Sequence, residues 1–133
     1  MEGIIGITAK IVIGIVAVEH LYILWLEMFA WETKGKETFR SLPKHLFKDT
    51  KVLAANQGLY NGFLSAGLFW SLLIGDSLWQ HNIALFFLSC VFIAGIYGGA
   101  TAEKGIFFNN IKNFLNEINL VIFPLYFVSF ISS

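Results

Sequence analysis

Glu19, His20 and Glu27 lie inside an apolar segment of membrane-spanning length, IVIGIVAVEHLYILWLEMFAW, at positions 11–31. An ionised acid at the centre of a bilayer is disfavoured by roughly 2.5–3.5 kcal/mol on insertion scales, so such groups need partners or a function. A second polar set, Asn56, Gln57, Tyr60 and Asn61, occupies the first third of another apolar stretch, 52–75. An adjacent carboxyl and imidazole with a second carboxyl further along are suitable stations for a proton. They are also an acid and a base for chemistry on a lipophilic substrate, because burial can tune both toward neutrality. Amides and a phenol instead suit hydrogen bonding to the polar head of a small amphipathic ligand, with Trp25, Trp31 and Phe63 as apolar walls.

A metal centre is a poorer reading of the same residues. No two of Glu19, His20 and Glu27 are three or four apart, the spacing that puts two ligands of one helix on one ion. Glu19 and Glu27 stand about 12 Å apart along a helix axis. We expect no metal, and the sequence names no cofactor. Acid–base catalysis lacks a nucleophile motif or a phosphate-binding glycine loop to accompany it, so the residues leave enzyme activity undecided. The plainest alternative is that polar residues hydrogen-bond across helices as glue, at about 0.6 kcal/mol each. That account suits Ser89, Cys90, Asn116, Asn119 and Tyr126 better than the three ionisable groups, since glue does not need charge.

The elements that must position these residues follow from composition. The chain of 133 residues is 56% hydrophobic and 14% charged, and its mean hydropathy is +0.68, the profile of a membrane protein. Nine basic residues balance nine acidic ones, which gives no argument for nucleic acid. Cys90 is alone, so no intrachain disulfide or thiolate metal site forms. The apolar start runs longer than a signal-peptide core and has no cleavage site, and is read as a retained span.

Four spans are expected, at about 11–31, 52–75, 82–100 and 113–131, joined by short connections into a single domain over 1–133. The fold class is all-α, an integral membrane antiparallel four-helix bundle. The loop at 32–51 carries Lys34, Lys36, Arg40, Lys44, Lys48 and Lys51 and reads as a solvated cytoplasmic segment with a short amphipathic helix. Retention of Lys and Arg on the cytoplasmic side puts both termini outside, in a bacterial cell membrane. With that topology, Glu27, Asn56, Gln57 and Tyr97 share one depth, while Glu19, His20, Ser65, Ser89 and Cys90 share another near the midplane. At 100° per residue the acid–histidine set spans about 100° of its helix and the amide–phenol set about 140° of its own, so two polar stripes are expected to meet.

Gly58, Gly62 and Ala66 repeat at four-residue spacing, as do Gly95 and Gly99, and small residues let membrane helices approach closely. Either row is a candidate surface for a homo-oligomer.

The run KVLAANQGLYNGFLSAG at 51–67, with Glu19 and His20, Leu26-Glu27-Met28, Trp31 and the stretch 95–101, resembles a small bacterial membrane-protein family, domain of unknown function 1304. The resemblance extends over most of the chain. It implies four spans and a polar site of Glu19, His20, Glu27, Asn56, Gln57, Tyr60, Asn61 and Tyr97, and it implies no reaction. The expected role is binding a small molecule at that site; the alternatives are a proton-coupled transporter acting as a dimer, or an enzyme using Glu19 and His20.

Overall fold

A computed structural model describes residues 2–40 and 42–101. The described residues build only helices, in the order α1 (Glu2–Met28), a π-helical turn (Trp31–Gly35), α2 (Lys36–Thr38), α3 (Leu46–Asp49), α4 (Lys51–Leu73) and α5 (Ser77–Thr101). The expected fourth span at 113–131 lies outside the described residues.

Helix α1 is crowded with β-branched residues, whose propensity for a helix is lower by a few tenths of a kcal/mol each. Its length and its packing against α4 outweigh that. It ends three residues before the expected Trp31, because the amide of Ala30 donates to the Trp25 carbonyl, one residue further back than in an α-helix. Gly35 donates to Ala30 in the same way, at 2.9 Å. This widening turns Trp31 out of line with α1. Helix α5 begins at Ser77, five residues before the expected start, because the Asp76 carboxylate accepts from the Trp79 amide at 2.9 Å and caps the helix.

Contacts between α1 and α4 run in reverse order along the two sequences. Gly14 meets Leu72 and Gly62 meets Leu24, while Gly58 lies against Leu24, Glu27 and Met28. The Ser65 hydroxyl donates to the Ala17 carbonyl at 2.7 Å. The two helices therefore pass side by side with opposed chain directions. Helix α5 folds back on α4, where the Phe87 ring covers Gly67. Ile13, Val16, Ala17, Leu68, Ala84 and Val91 form the buried core shared by the three long helices.

Among the described residues, two helices are long and apolar enough to cross a membrane, Gly6–Met28 in α1 and Ser77–Gly98 in α5. Helix α4 has the length, but Asn56, Gln57 and Asn61 lower its hydropathy. Large apolar side chains stand exposed around these helices, among them Ile7, Ile15 and Leu21 on α1 and Phe86 and Ile93 on α5. Apolar surface of that extent marks a membrane or partner surface.

The segment after α1, expected as a solvated loop with a short amphipathic helix, exposes most of its charged side chains and contains the short helix α3, with Phe47 buried and Lys48 exposed. It is an ordered cap over the ends of α1 and α4, built on aromatic packing. Trp31 stacks at 5.0 Å from Phe47 and 5.3 Å from Phe39, and its indole N–H donates to the Thr50 hydroxyl at 3.1 Å. Phe47 is 0% exposed. A Cβ at Gly35 would stand 3.2 Å from the Trp31 ring, so glycine is what allows the turn to close on it. Lys51 pairs with Glu32 at 2.6 Å and Lys34 with Glu37 at 2.7 Å. Those partners hold both carboxyls below their ordinary pKa, chiefly through the direct hydrogen bond in each case.

Candidate functional site

The seam between α1 and α4 gathers part of the polar set. Gly58 allows α4 to approach until its backbone lies against the side of α1, with a notional Cβ 2.9 Å from Met28 Cγ and 3.0 Å from Glu27 Cβ. One helical turn further along α4, the Asn61 side-chain amide donates to Glu27 Oε2 at 3.0 Å and also to the Gln57 carbonyl at 3.1 Å. The amide is thereby held between its own helix and the acid of the neighbour. Glu27 is half-buried.

His20 points along the same face of α1 as Glu27, two turns away, and is 8% exposed. Its Nδ1 lies 2.8 Å from the Val16 carbonyl. A proton on Nδ1 satisfies that carbonyl and leaves the Nε2 lone pair as the acceptor. Glu19 is half-buried on an adjacent face, and its carboxylate makes no hydrogen bond or ion pair to a described residue. The hydrogen bond from Ser65 to Ala17 puts Ser65 within a turn of the level of Glu19 and His20.

The rest of the expected set stands apart from this seam. Asn56 and Gln57 are exposed, and Tyr60 is 54% and Tyr97 71% exposed. The reason is angular: Gly58, Asn61 and Ser65 define the side of α4 that faces α1, and Asn56 lies about 180° from it. The two stripes therefore meet at Asn61 alone. Trp25 and Phe63 are exposed as well, each beside a tyrosine ring of its own helix, Tyr22 and Tyr60. Among those residues, no three His, Cys, Asp or Glu side chains are grouped to hold a metal ion. No buried side-chain nitrogen or oxygen there lacks a hydrogen-bond partner.

Sequence reasoning missed the Trp31–Thr50 hydrogen bond and the burial of Phe47 beside the Glu27 end of the seam. The available signal was Trp31, Phe39 and Phe47 within one charged loop, since three aromatic rings there are more than solvation explains. In the small-residue row, Gly58 and Gly62 pack against α1 of the same chain.

The family model described as "Protein of unknown function (DUF1304)" matches residues 14–112, which include all eight candidate residues and the cap. The chain is similar to "Uncharacterized protein YpaA" of Lactococcus lactis subsp. lactis (strain IL1403), with 31% identity over 94 residues, 69% of this chain and 77% of that protein. No solved structure matches the chain.

Proposed function

Since the chain belongs to the family of proteins of unknown function DUF1304, we propose a role for it from its own residues: a multi-pass bacterial membrane protein that binds a small amphipathic molecule beside Glu27 and Asn61. The proposed architecture is an antiparallel four-helix bundle with both termini outside and the capped loop in the cytoplasm. Two helices of spanning length support it, as do the short connection 74–76 and the basic residues concentrated in one loop.

The observation that carries the binding role is the Asn61–Glu27 hydrogen bond. It holds a carboxyl half-buried at the end of a helix seam with one oxygen engaged and the other without a described partner. Gln57, exposed one turn before Asn61 and accepting from it through its carbonyl, offers a further donor and acceptor beside it, and exposed apolar side chains border the pair. A ligand with a polar head and an apolar body fits that sequence of groups. A homo-oligomer, where one forms, uses the side of α5 at Gly95, because α1 covers Gly58 and Gly62 and no described residue stands within 4 Å of a Cβ at Gly95.

Native mass spectrometry of the gently extracted protein tests the reading. Wild type should retain a small molecule, and Gln57→Leu and Glu27→Leu should lose it. Gln57→Leu is the cleaner variant, because the Gln57 side chain is exposed and Asn61 uses only its backbone carbonyl, so its melting temperature should stay at the wild-type value. Loss of stability in proportion to loss of ligand would make these residues structural and remove the site.

A second reading, a proton-coupled transporter, is favoured by Glu19, a half-buried acid without a described partner beside His20. It predicts proton flux in proteoliposomes that Glu19→Gln removes. Turnover in detergent with no gradient would displace both readings in favour of an enzyme.

A further inference from the structure

We propose that the cap is a preformed docking surface for anionic phospholipid headgroups, with Arg40, Lys44 and Lys48 as its contact residues; this rests on the membrane reading above. Between Glu32 and Lys51 stand six basic and three acidic residues. The two ion pairs use Lys51 with Glu32 and Lys34 with Glu37. Lys36, Arg40, Lys44 and Lys48 then face only Asp49 as a remaining acid, so the cap keeps a positive excess after its internal pairs are made.

The fold directs that excess outward. Phe47 is turned fully inward against Trp31 and Gly35, and Lys44 and Lys48, on either side of it in sequence and four residues apart, are exposed. Arg40 is exposed too, its Nε donating to the Glu37 carbonyl at 3.0 Å, which leaves the terminal guanidinium nitrogens for another acceptor. Directly beyond the cap, Phe29, Val52 and Leu53 expose 72%, 79% and 70% of their surface. Exposed apolar side chains adjoining exposed cations match what a lipid presents, an acyl chain next to a phosphate.

Charge at the opposite end of the helices shows that this is not a general property of the chain. The connection from α4 to α5 contains Asp76 and no Lys or Arg. Cations that only set topology need no folded support, whereas these sit on a segment fixed by a buried ring, two ion pairs and an indole hydrogen bond. Headgroup binding to a segment already ordered avoids the entropy of ordering it.

The test compares the full-length protein with the triple variant Arg40→Gln, Lys44→Gln, Lys48→Gln in nanodiscs of phosphatidylcholine with and without phosphatidylglycerol. Each basic residue near an anionic surface contributes about fivefold in affinity, so the variant should bind phosphatidylglycerol roughly a hundredfold more weakly. Wild type should be stabilised by phosphatidylglycerol in a salt-sensitive manner, inorganic phosphate should not substitute, and the variant should melt like wild type in phosphatidylcholine alone. Equal phosphatidylglycerol retention by variant and wild type overturns the proposal, as does stabilisation by phosphate alone. An alkaline carbonate wash separates the two levels of the argument. A chain that resists extraction yet shows no lipid preference sinks the docking surface only, and a chain released without detergent sinks the membrane reading together with it.

Discussion

Phe47→Ala is expected to destabilise the cap by about 3–5 kcal/mol, the range for removing a buried aromatic ring. Phe47 is fully enclosed, and its neighbours have little freedom to fill the space. Trp31 is anchored through its N–H to Thr50, and the Thr50 hydroxyl donates in turn to the Leu46 carbonyl at 2.7 Å. Gly35 has no side chain to move in. The lost ring therefore leaves a cavity, and the segment opens as a local unit before the long helices separate. Limited proteolysis should show cleavage within 32–50 at protease concentrations that leave wild type intact, and the thermal midpoint in detergent should fall. Phe39→Ala is the control: Phe39 also stacks on Trp31 but is only half-buried, and should lose less. Equal losses at the two positions would mean that the cap has no core of its own.

Much of the fold was legible in the residues because its signal is hydrophobic length. The run at 11–31 contains most of α1, and 52–75 falls within two residues of α4 at either end. What composition does not encode is the local hydrogen bond that ends or starts a helix. Met28 rather than Trp31 closes α1, since the carbonyl of Trp25 takes a second amide, and the Asp76 cap extends α5 backward into residues read as a turn. The cap escaped notice for a different reason. Its rings come from the π-helical turn at Trp31, from Phe39 after α2 and from Phe47 in α3, with no continuous helix or strand whose period would reveal that they meet. Angular spread along α4 follows from the helical period, but it does not say which edge of a 140° stripe faces the neighbour. Gly58 and Ser65 decide that, because α1 can approach only where α4 is small, and their side of the helix reaches Asn61 while leaving Asn56 and Tyr60 outside.

Gly58→Leu is expected to separate α1 from α4 and to cost about 3 kcal/mol, at the upper end of the usual range for overpacking a closed contact. The graded form of the experiment carries more information. A methyl at Gly58 would stand 2.9 Å from Met28 Cγ, 3.0 Å from Glu27 Cβ and 3.1 Å from the Leu24 carbonyl oxygen. Two of those atoms cannot move without the α1 backbone. Exchange of Gly for Ala within a helix returns about 1 kcal/mol in propensity, so Gly58→Ala should show a net loss of about 1–2 kcal/mol. At Gly62 the added methyl meets only the end of the Leu24 side chain, which can rotate away, and Gly62→Ala should be near neutral. A double-mutant cycle of Gly58→Ala with Asn61→Leu then connects packing to the site. Where the methyl pushes Glu27 out of reach of Asn61, the Asn61 substitution should cost less in the Gly58→Ala background than in wild type, because its hydrogen bond is already broken. Simple additivity would show that the Glu27–Asn61 hydrogen bond does not depend on the close approach at Gly58.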